Sequence, residues 1–191
     1  NYIFSVIKTT FEKYGFSPIE TPAMERLETL SGKYGDEGDK LIFKVLNSGD
    51  FISKIELDNN ITSTKLTKQI SQKPLTYYLT VPLARYFVKN RNDIIFPFKR
   101  YQIQNVWRAD RPQKGRFREF FQCDADIIGT KSLISEIELI QLYDEIFSCL
   151  SIPNINICIN NRKVLIGMVE VMNACSLFNE IVTVSYTHLR A

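Results

Sequence analysis

Histidine and cysteine, the side chains that most often bind transition metals, are scarce in this sequence. Its 191 residues include one histidine, His188, and four cysteines with no Cys-x-x-Cys pair among them: Cys123, Cys149, Cys158 and Cys175. A structural zinc site needs four such ligands at characteristic spacings. We therefore expect no protein-bound metal, and we interpret the cysteines as buried thiols in a reducing compartment.

Long apolar runs and targeting signals are lacking as well. No stretch approaches the roughly 18 apolar residues of a membrane span, and the chain begins at Asn1 with no pattern of a signal peptide. The length favours one domain, and a hydrophobic content of 45% is ordinary for a globular core. These features predict a soluble, cytoplasmic protein without a membrane partner.

The net charge is only +3, but positive charge is concentrated between residues 108 and 118. This stretch contains one acid, Asp110, and five basic residues: Arg108, Arg111, Lys114, Arg116 and Arg118. Basic loops usually face solvent, so the stretch alone would leave that interpretation open. A mildly basic chain is compatible with a nucleic-acid partner but does not argue strongly for one.

The segments on either side of this loop alternate as β-strands do. The even-numbered positions carry mostly polar groups that suit ligand binding: Gln102, Gln104 and Arg108 before the loop, and Arg118, Gln122, Asp124 and Asp126 after it. The odd-numbered positions are mostly apolar. Arginine makes planar, bidentate contacts with phosphate or carboxylate. A hairpin with one core face and one face for an anionic ligand is favoured over a face turned to solvent.

Patterns elsewhere predict further helices and strands. A helix over residues 2–14 ends at Gly15, and residues 16–22 form an edge strand bounded by prolines. Residues 132–150 form a helix with Ser132 as its N-cap. Its predicted core stripe is Leu133, Ile137, Ile140, Tyr143, Ile146, Phe147 and Leu150. Other predictions are helices at 23–30 and 162–172, a short helix around 66–70, a helix starting near Thr80, and strands at 41–46 and 155–159.

Residues 107–120, WRADRPQKGRFREF, closely resemble motif 2 of the class II aminoacyl-tRNA synthetases, in the version found in the histidyl-tRNA synthetases. The resemblance extends from about residue 11 to about residue 183, and residues 16–30 resemble motif 1. It implies an α+β fold, an antiparallel sheet with flanking helices, here incomplete. It also implies a homodimer through the motif 1 region. Residues 47–73 are polar and poorly periodic, which favours a surface insertion.

The resemblance implies three ligands: histidine, ATP with Mg²⁺, and tRNA(His). By resemblance, Arg108 is the catalytic residue, since it holds the α-phosphate of ATP and the carboxylate of histidine. Asp110 and Arg116 lie near ATP or the tRNA end. The histidine site is implied to consist of Tyr78, Thr80, Arg108, Gln122 and Asp126.

Two residues depart from the family pattern LRYDLTVPFAR, which reads LTYYLTVPLAR here. Thr76 replaces an arginine, and Tyr78 replaces the acid that holds the α-ammonium group of histidine in the family. A phenol accepts a hydrogen bond but is uncharged near neutral pH. Because hydrogen bonds to charged groups contribute about 1.5–3 kcal/mol, we expect histidine binding to weaken by one to two orders of magnitude.

Gly167 is the only glycine beyond Gly129, so the family's glycine-rich motif 3 is not found in this sequence. We interpret residues 1–184 as a partial catalytic domain without useful activity alone, and residues 185–191 as a non-native tail. One alternative is the synthetase-like regulatory subunit of ATP phosphoribosyltransferase, which Tyr78 favours and the RPQKGR loop disfavours. Another is a general nucleic-acid-binding module, which the carboxylates beside the loop disfavour because they repel phosphate.

Overall fold

The computed structural model describes residues 1–31, 39–53, 55–56, 61–178 and 180–181. The chain divides into two compact units, Asn1–Ile152 and the residues from Pro153 onward. Residues 33–40, which glycines at 35 and 38 predict to be a turn-rich loop, lie mostly outside the described residues. All of the tail at 185–191, with His188, lies outside them too. In the part of the chain that is described, no helix has the length and apolar composition needed to cross a bilayer.

The helices and strands agree in order with the sequence predictions at most positions. The first unit contains α1 (Tyr2–Lys13), β1 (Ser17–Pro18), α2 (Leu27–Leu30), α3 (Ser63–Ile70), α4 (Thr80–Lys89), β2 (Phe98–Trp107), β3 (Glu119–Ile128) and α5 (Ile134–Cys149). The second unit contains α6 (Arg162–Val171) and a 3₁₀ turn, Cys175–Leu177. The predicted end of α1 is confirmed, because Gly15 adopts a left-handed φ of 78° directly after it. The predicted helix at 162–172 is also confirmed, and it is capped by the Asn161 side chain, which accepts a hydrogen bond from the Lys163 amide at 2.9 Å.

The sheet has three described strands in the order β1-β2-β3. β2 and β3 form the predicted antiparallel hairpin, with Phe98 opposite Ile128 at one end and Trp107 opposite Glu119 at the other. The short edge strand β1 instead runs parallel to β2. The α+β class is confirmed, but the sheet is mixed rather than wholly antiparallel. A parallel neighbour is possible here because a long segment of chain separates β1 from β2.

Helices α1 and α5 cover one face of the hairpin. The core cluster consists of Phe11, Phe16, Tyr101, Leu142 and Ile146. Ile103, Ala125 and Ile127 pack against it from odd-numbered strand positions. The predicted core face of the hairpin is therefore confirmed, and the even-numbered face is turned away from these helices.

The predicted stripe on α5 is partly wrong. Leu142, which is outside that stripe, is fully buried, whereas the side chains of Leu133 and Ile137 in the stripe are exposed. The helix carries apolar side chains around most of its circumference, so periodicity alone does not select the buried face. The described α5 also begins at Ile134, although Ser132 Oγ accepts a hydrogen bond from the amide of that residue at 3.3 Å.

Two predictions are wrong, those of a helix at 23–26 and of a strand at 41–46. Contacts with other parts of the chain, rather than local propensity, determine the structure of these segments. Residues 23–26 are not helical, because the Thr76 amide donates to the Ala23 carbonyl at 2.9 Å and the Glu25 amide donates to the Pro74 carbonyl at 3.1 Å. Residues 41–46 form no strand. They make isolated backbone contacts instead, such as the hydrogen bond from the Leu75 amide to the Phe43 carbonyl at 3.0 Å.

The predicted strand at 155–159 is also wrong. Residues 153–160 are described as irregular, and Ile155, Ile157 and Ile159 are exposed. Alternation becomes a strand only when a neighbouring strand pairs with it, and none of the described strands pairs here. Cys149 and Cys158 are exposed as well, contrary to the prediction of buried thiols. Cys123 is partly buried, and burial raises the pKa of its thiol.

Tyr101 makes the stability of the folded chain depend on pH in the alkaline range. Its side chain is buried and its hydroxyl donates to Glu12 Oε1 at 3.0 Å. Burial, with the hydrogen bond to Glu12, raises the pKa of Tyr101 to about 12. The folded chain thus keeps this phenol proton to a higher pH than the unfolded chain does, whose tyrosines titrate near about 10. The stabilisation is complete below pH 10 and is lost as the pH rises through 12.

Tyr101→Phe is therefore expected to remove part of the alkaline loss of stability. Near pH 8 the variant should be less stable by about 1.5–3 kcal/mol, because a hydrogen bond to a carboxylate is lost. The difference should shrink between pH 10 and 12. Urea unfolding at pH 8 and pH 11 measures it, with Tyr86→Phe at a half-buried position as the matched control. A difference that stays constant across this range would contradict the assignment.

Candidate active site

The polar face of the hairpin is built from residues that oppose each other across β2 and β3. Directly paired residues share a face. The pairs on the even-numbered face are Arg100 with Asp126, Gln102 with Asp124, Gln104 with Gln122, and Val106 with Phe120. The predicted gathering of glutamine and carboxylate side chains on one face is therefore confirmed, while the arginine in these pairs, Arg100, was not among the predicted ones.

Arg108 lies at the end of β2 with its guanidinium between two aromatic rings. Its Cζ is 4.8 Å from the centre of the Tyr77 ring and 5.0 Å from the centre of the Phe120 ring. Its Nε donates to the Tyr77 carbonyl at 3.3 Å, and Nη2 donates to Gln122 Oε1 at 3.2 Å. Ring faces attract cations, and the two hydrogen bonds fix the plane of the group. The site thus holds a pre-oriented planar cation.

Gln122 links this cation to the carboxylates of β3. Its Oε1 faces Arg108 while its Nε2 donates to Asp124 Oδ1 at 3.2 Å. Burial raises the pKa of Asp124, and Arg100 acts in the opposite direction. Asp126 is four residues further along β3 than Gln122, a distance of about 13 Å in an extended strand. The polar face is therefore long enough for an elongated ligand.

The segment before α4 reaches this face because it is bonded to the end of β2. The Trp107 amide donates to the Thr76 carbonyl at 3.0 Å. Thr76 itself is buried, and its hydroxyl donates to the Ala23 carbonyl at 3.0 Å. This accounts for one departure from the family pattern, because the small hydroxyl binds backbone inside the fold rather than facing a ligand.

Tyr78, the second departure, is half-buried beside Arg108. Its ring centre is 5.4 Å from that of Tyr77. Burial raises the pKa of Tyr78 most, with Tyr77 adding to the rise and the Arg108 cation opposing it. The phenol is therefore neutral near pH 7. Thr80, the other histidine-site residue predicted in this segment, is exposed at the first position of α4.

The basic loop ends in a tight turn that presents its cations to solvent. The Arg116 amide donates to the Gln113 carbonyl at 2.9 Å, and Gly115 provides the left-handed φ of 76° that the turn requires. Arg116 is 56% exposed, and its Nε is 3.9 Å from Asp110 Oδ2. Exposed ion pairs of this kind contribute little to stability. The arginine can therefore leave Asp110 for an anionic ligand at small cost.

The structure groups the predicted residues in two sets. Tyr78, Arg108 and Gln122 are neighbours, with Asp126 on the same face, while Asp110 and Arg116 belong to the loop beyond it. Sequence reasoning missed Arg100, which is completely buried opposite Asp126. Its even number matches Gln102 and Gln104, so extending the alternation by one pair would have identified it.

This arrangement has the fold of the class II aminoacyl-tRNA synthetases. It superposes on a pyrrolysyl-tRNA synthetase from Desulfitobacterium hafniense with a TM-score of 0.62 over 84% of this chain and 48% of that one, at 14% identity, a likeness of fold alone. The profile of the family described as Histidyl-tRNA synthetase matches residues 2–182. The chain belongs to the histidyl-tRNA synthetase family.

Individual relatives agree with this assignment. The histidine--tRNA ligase of Christiangramia forsetii is 63% identical over 90% of this chain, and that of Azobacteroides pseudotrichonymphae is 61% identical over 96%. The crystal structure of histidyl-tRNA synthetase from Nostoc sp. PCC 7120 matches 90% of this chain and 35% of its own with a TM-score of 0.68 and 35% identity. The chain spans 38% and 40% of the lengths of the two ligases.

Proposed function

We propose that this chain forms the histidine- and ATP-binding part of a histidine--tRNA ligase. The observation that carries the proposal is the Arg108 guanidinium, which two rings and two hydrogen bonds hold at the end of the polar hairpin face. In the proposed reaction the histidine carboxylate attacks the α-phosphorus of ATP, and pyrophosphate leaves. The histidyl group of the adenylate then passes to a terminal ribose hydroxyl of tRNA(His), releasing AMP.

The first step brings two anions together, so it needs fixed positive charge. Arg108 is proposed to bind the α-phosphate and the histidine carboxylate at once and to stabilise the charge that develops between them. Mg²⁺ is proposed to arrive with ATP, where phosphate oxygens suit a hard cation. Arg116, after release from Asp110, is proposed to cover ATP or the tRNA end. Its exposure and weak ion pair support this role.

The remaining face is proposed to bind the amino acid. Gln122 and Asp126 would face the bound histidine, with Asp126 accepting a hydrogen bond from an imidazole N–H. Tyr78 and Thr80 would lie at its ammonium end, where the phenol offers an acceptor without a charge. A carboxylate that faces an imidazole N–H discriminates strongly, because a side chain without this donor leaves the acceptor unpaired.

Assembly and location are also part of the proposal. A homodimer through residues 16–30 is supported by the exposed edge strand, in which both Ser17 and Pro18 face solvent. An edge strand leaves backbone groups available for a partner. A cytoplasmic location follows from a role in charging tRNA for protein synthesis.

The regulatory subunit of ATP phosphoribosyltransferase is the second candidate, and Tyr78 is the observation that favours it. Tyr78 departs from the ligase family's pattern at the position of the acid that holds the ammonium group. A solved structure from Bacillus halodurans described as an ATP phosphoribosyltransferase regulatory subunit/histidyl-tRNA synthetase has a TM-score of 0.58, but its 24% identity is a likeness of fold alone. The exposed cations of the loop favour the ligase.

Activity is best tested in a hybrid ligase, defined as the Christiangramia forsetii ligase with residues 2–182 of this chain in place of its corresponding segment. Histidine-dependent ATP–pyrophosphate exchange is expected for this hybrid. Tyr78→Asp should lower the KM for histidine by about 10- to 100-fold, because the ammonium group regains an anionic partner. Tyr78→Asn is the matched control, since asparagine has nearly the same shape as aspartate but carries no charge.

The outcomes separate the candidates. Exchange with Tyr78 in place supports the ligase, and exchange only with the aspartate variant means a ligase fold with a weakened amino-acid site. Silence from both would favour the regulatory subunit. Equal gains from Asp and Asn would contradict the role given to charge. Steeply salt-dependent RNA binding without any response to ATP or histidine would instead indicate a general nucleic-acid-binding module.

A further inference from the structure

Arg100 is a completely buried cation on the ligand face of the hairpin. Its side chain has 0% exposure and forms an ion pair with Asp126, the residue directly opposite it in the register. Burial lowers the pKa of Arg100, and the carboxylates of Asp126 and Asp124 oppose that effect. A buried charge is retained only with strong partners. The ion pair is therefore a fixed part of the face rather than a mobile surface contact.

A chain of amide side chains anchors the other side of this guanidinium. Arg100 Nη1 donates to Gln102 Oε1 at 3.3 Å, and Gln102 Nε2 donates to Thr21 Oγ1 at 2.7 Å and to Gln104 Oε1 at 2.6 Å. Gln104 Nε2 then donates to the Thr21 carbonyl at 2.6 Å. Both glutamines are held by the segment that follows β1. Arg100 is thus supported on the side away from Asp126.

Asp126 is only partly covered by this arrangement. Its side chain is 39% exposed, and Oδ2 is the oxygen paired with Arg100. A carboxylate has about four acceptor positions, so one ion pair leaves capacity for a ligand N–H. The carboxylate is held by the ion pair with Arg100, while its other acceptor positions remain open to the face.

We propose that Arg100 is a positioning residue that orients the Asp126 carboxylate toward the imidazole of histidine. The inference rests on the proposed function, in which Asp126 faces that ring. Arg100 lies beneath the site and acts through the carboxylate rather than on the substrate. Fixing an acceptor in advance strengthens discrimination, because the carboxylate does not rotate to suit a ring without an N–H donor.

The test uses the hybrid ligase with two substrates: histidine and 3-(thiazol-4-yl)alanine, whose ring has no N–H. The measured quantity is the ratio of kcat/KM for histidine to kcat/KM for the analogue. Arg100→Met and Arg100→Lys are expected to lower this ratio, by about tenfold or more for methionine. The KM for ATP should be unchanged. A loss of stability alone would lower both kcat/KM values together and leave their ratio unmoved.

Two comparisons make the result specific. Lys99→Met removes the half-buried Lys99–Glu138 ion pair from the opposite face of the same strand and should leave the ratio unchanged. Asp126→Asn should lower the ratio as Arg100→Met does, and the double variant should fall no further.

Several results would overturn the inference. One is an unchanged ratio in the Arg100 variants, and another is a double variant whose losses multiply. A third is the absence of measurable exchange in both Arg100 variants while the Asp126→Asn variant still catalyses exchange. The absence of exchange from both the unaltered hybrid and its Tyr78→Asp variant would overturn the proposed function itself, and the inference with it.

Discussion

Arg108→Gln is expected to lower histidine-dependent ATP–pyrophosphate exchange by the hybrid ligase about 10²- to 10³-fold. Glutamine keeps a hydrogen-bond donor and part of the side-chain length, but it loses the positive charge. In the proposed reaction that charge lies between a carboxylate and a phosphate that react with each other. Among the described residues, the other cations of the loop are exposed, at positions 111, 114, 116 and 118. The buried cation Arg100 lies further along the face, paired with Asp126.

The size of this effect depends on how firmly Arg108 is held before substrate binds. The rings of Tyr77 and Phe120 flank the guanidinium, and the Gln122 side chain and a backbone carbonyl accept its hydrogen bonds. A group that is fixed in advance needs little reorganisation when charge develops. We therefore expect kcat to fall more than the KM for histidine rises, because the interaction strengthens in the transition state.

Arg91→Gln is the matched control for this prediction. Arg91 is an exposed arginine just after α4, so its replacement changes the net charge by the same amount without touching the hairpin. Exchange by this variant should be within about twofold of the unaltered hybrid, as expected for an exposed position. Comparable losses in the two variants would show that net charge, not the placement of Arg108, governs the rate.

The hairpin and its ligand face could be predicted from sequence because both depend on a local pattern. Alternation with a period of two assigns each residue to a face, and an antiparallel pair keeps that assignment across the strands. The pairing of Gln104 with Gln122 and of Gln102 with Asp124 follows directly. Arg100 was missed because the alternation was followed only from residue 101 onward, although β2 begins at Phe98.

The segments that were predicted incorrectly are those whose structure depends on distant partners. Residues 23–26 have helical propensity, but they pair with residues 74–76 instead. Residues 41–46 alternate weakly and bond only at single points. The burial of Thr76 could not be predicted either. Nothing in the sequence indicates that its hydroxyl will donate a hydrogen bond to the backbone carbonyl of Ala23. Tertiary hydrogen bonds override propensity at all three places.

Helix α5 shows a different limit, because it has more apolar side chains than its packed face needs. Leu142 and Ile137 are both apolar, and the helix period alone assigned Ile137 to the core. The structure instead packs Leu142 with Phe11 and Tyr101, leaving its exposed fraction at 0%, whereas that of Ile137 is 55%. The position at which α1 crosses the sheet decides which face of α5 is buried. The sequence of α5 carries no information about that position.

This difference predicts that Leu142→Ala will destabilise the chain far more than Ile137→Ala. Truncation of a fully buried leucine leaves a cavity and costs about 2–5 kcal/mol. Truncation at an exposed position is expected to change the free energy of unfolding by about 0.5 kcal/mol or less. Urea unfolding of the chain measures both variants, and the helix itself provides the matched control, since alanine has high helix propensity at either position.

The outcome for these two variants decides which face of α5 carries the core. A domain is stable by only about 5–15 kcal/mol, so loss of the Leu142 side chain would remove a large share of that total. Equal losses from the two variants would mean that Ile137 is covered in solution, as the predicted stripe requires. A larger loss from Ile137→Ala would reverse the assignment of the buried face. A loss confined to Leu142→Ala would show that α5 packs on the odd-numbered face of the hairpin through Leu142, with Ile137 on the outer side.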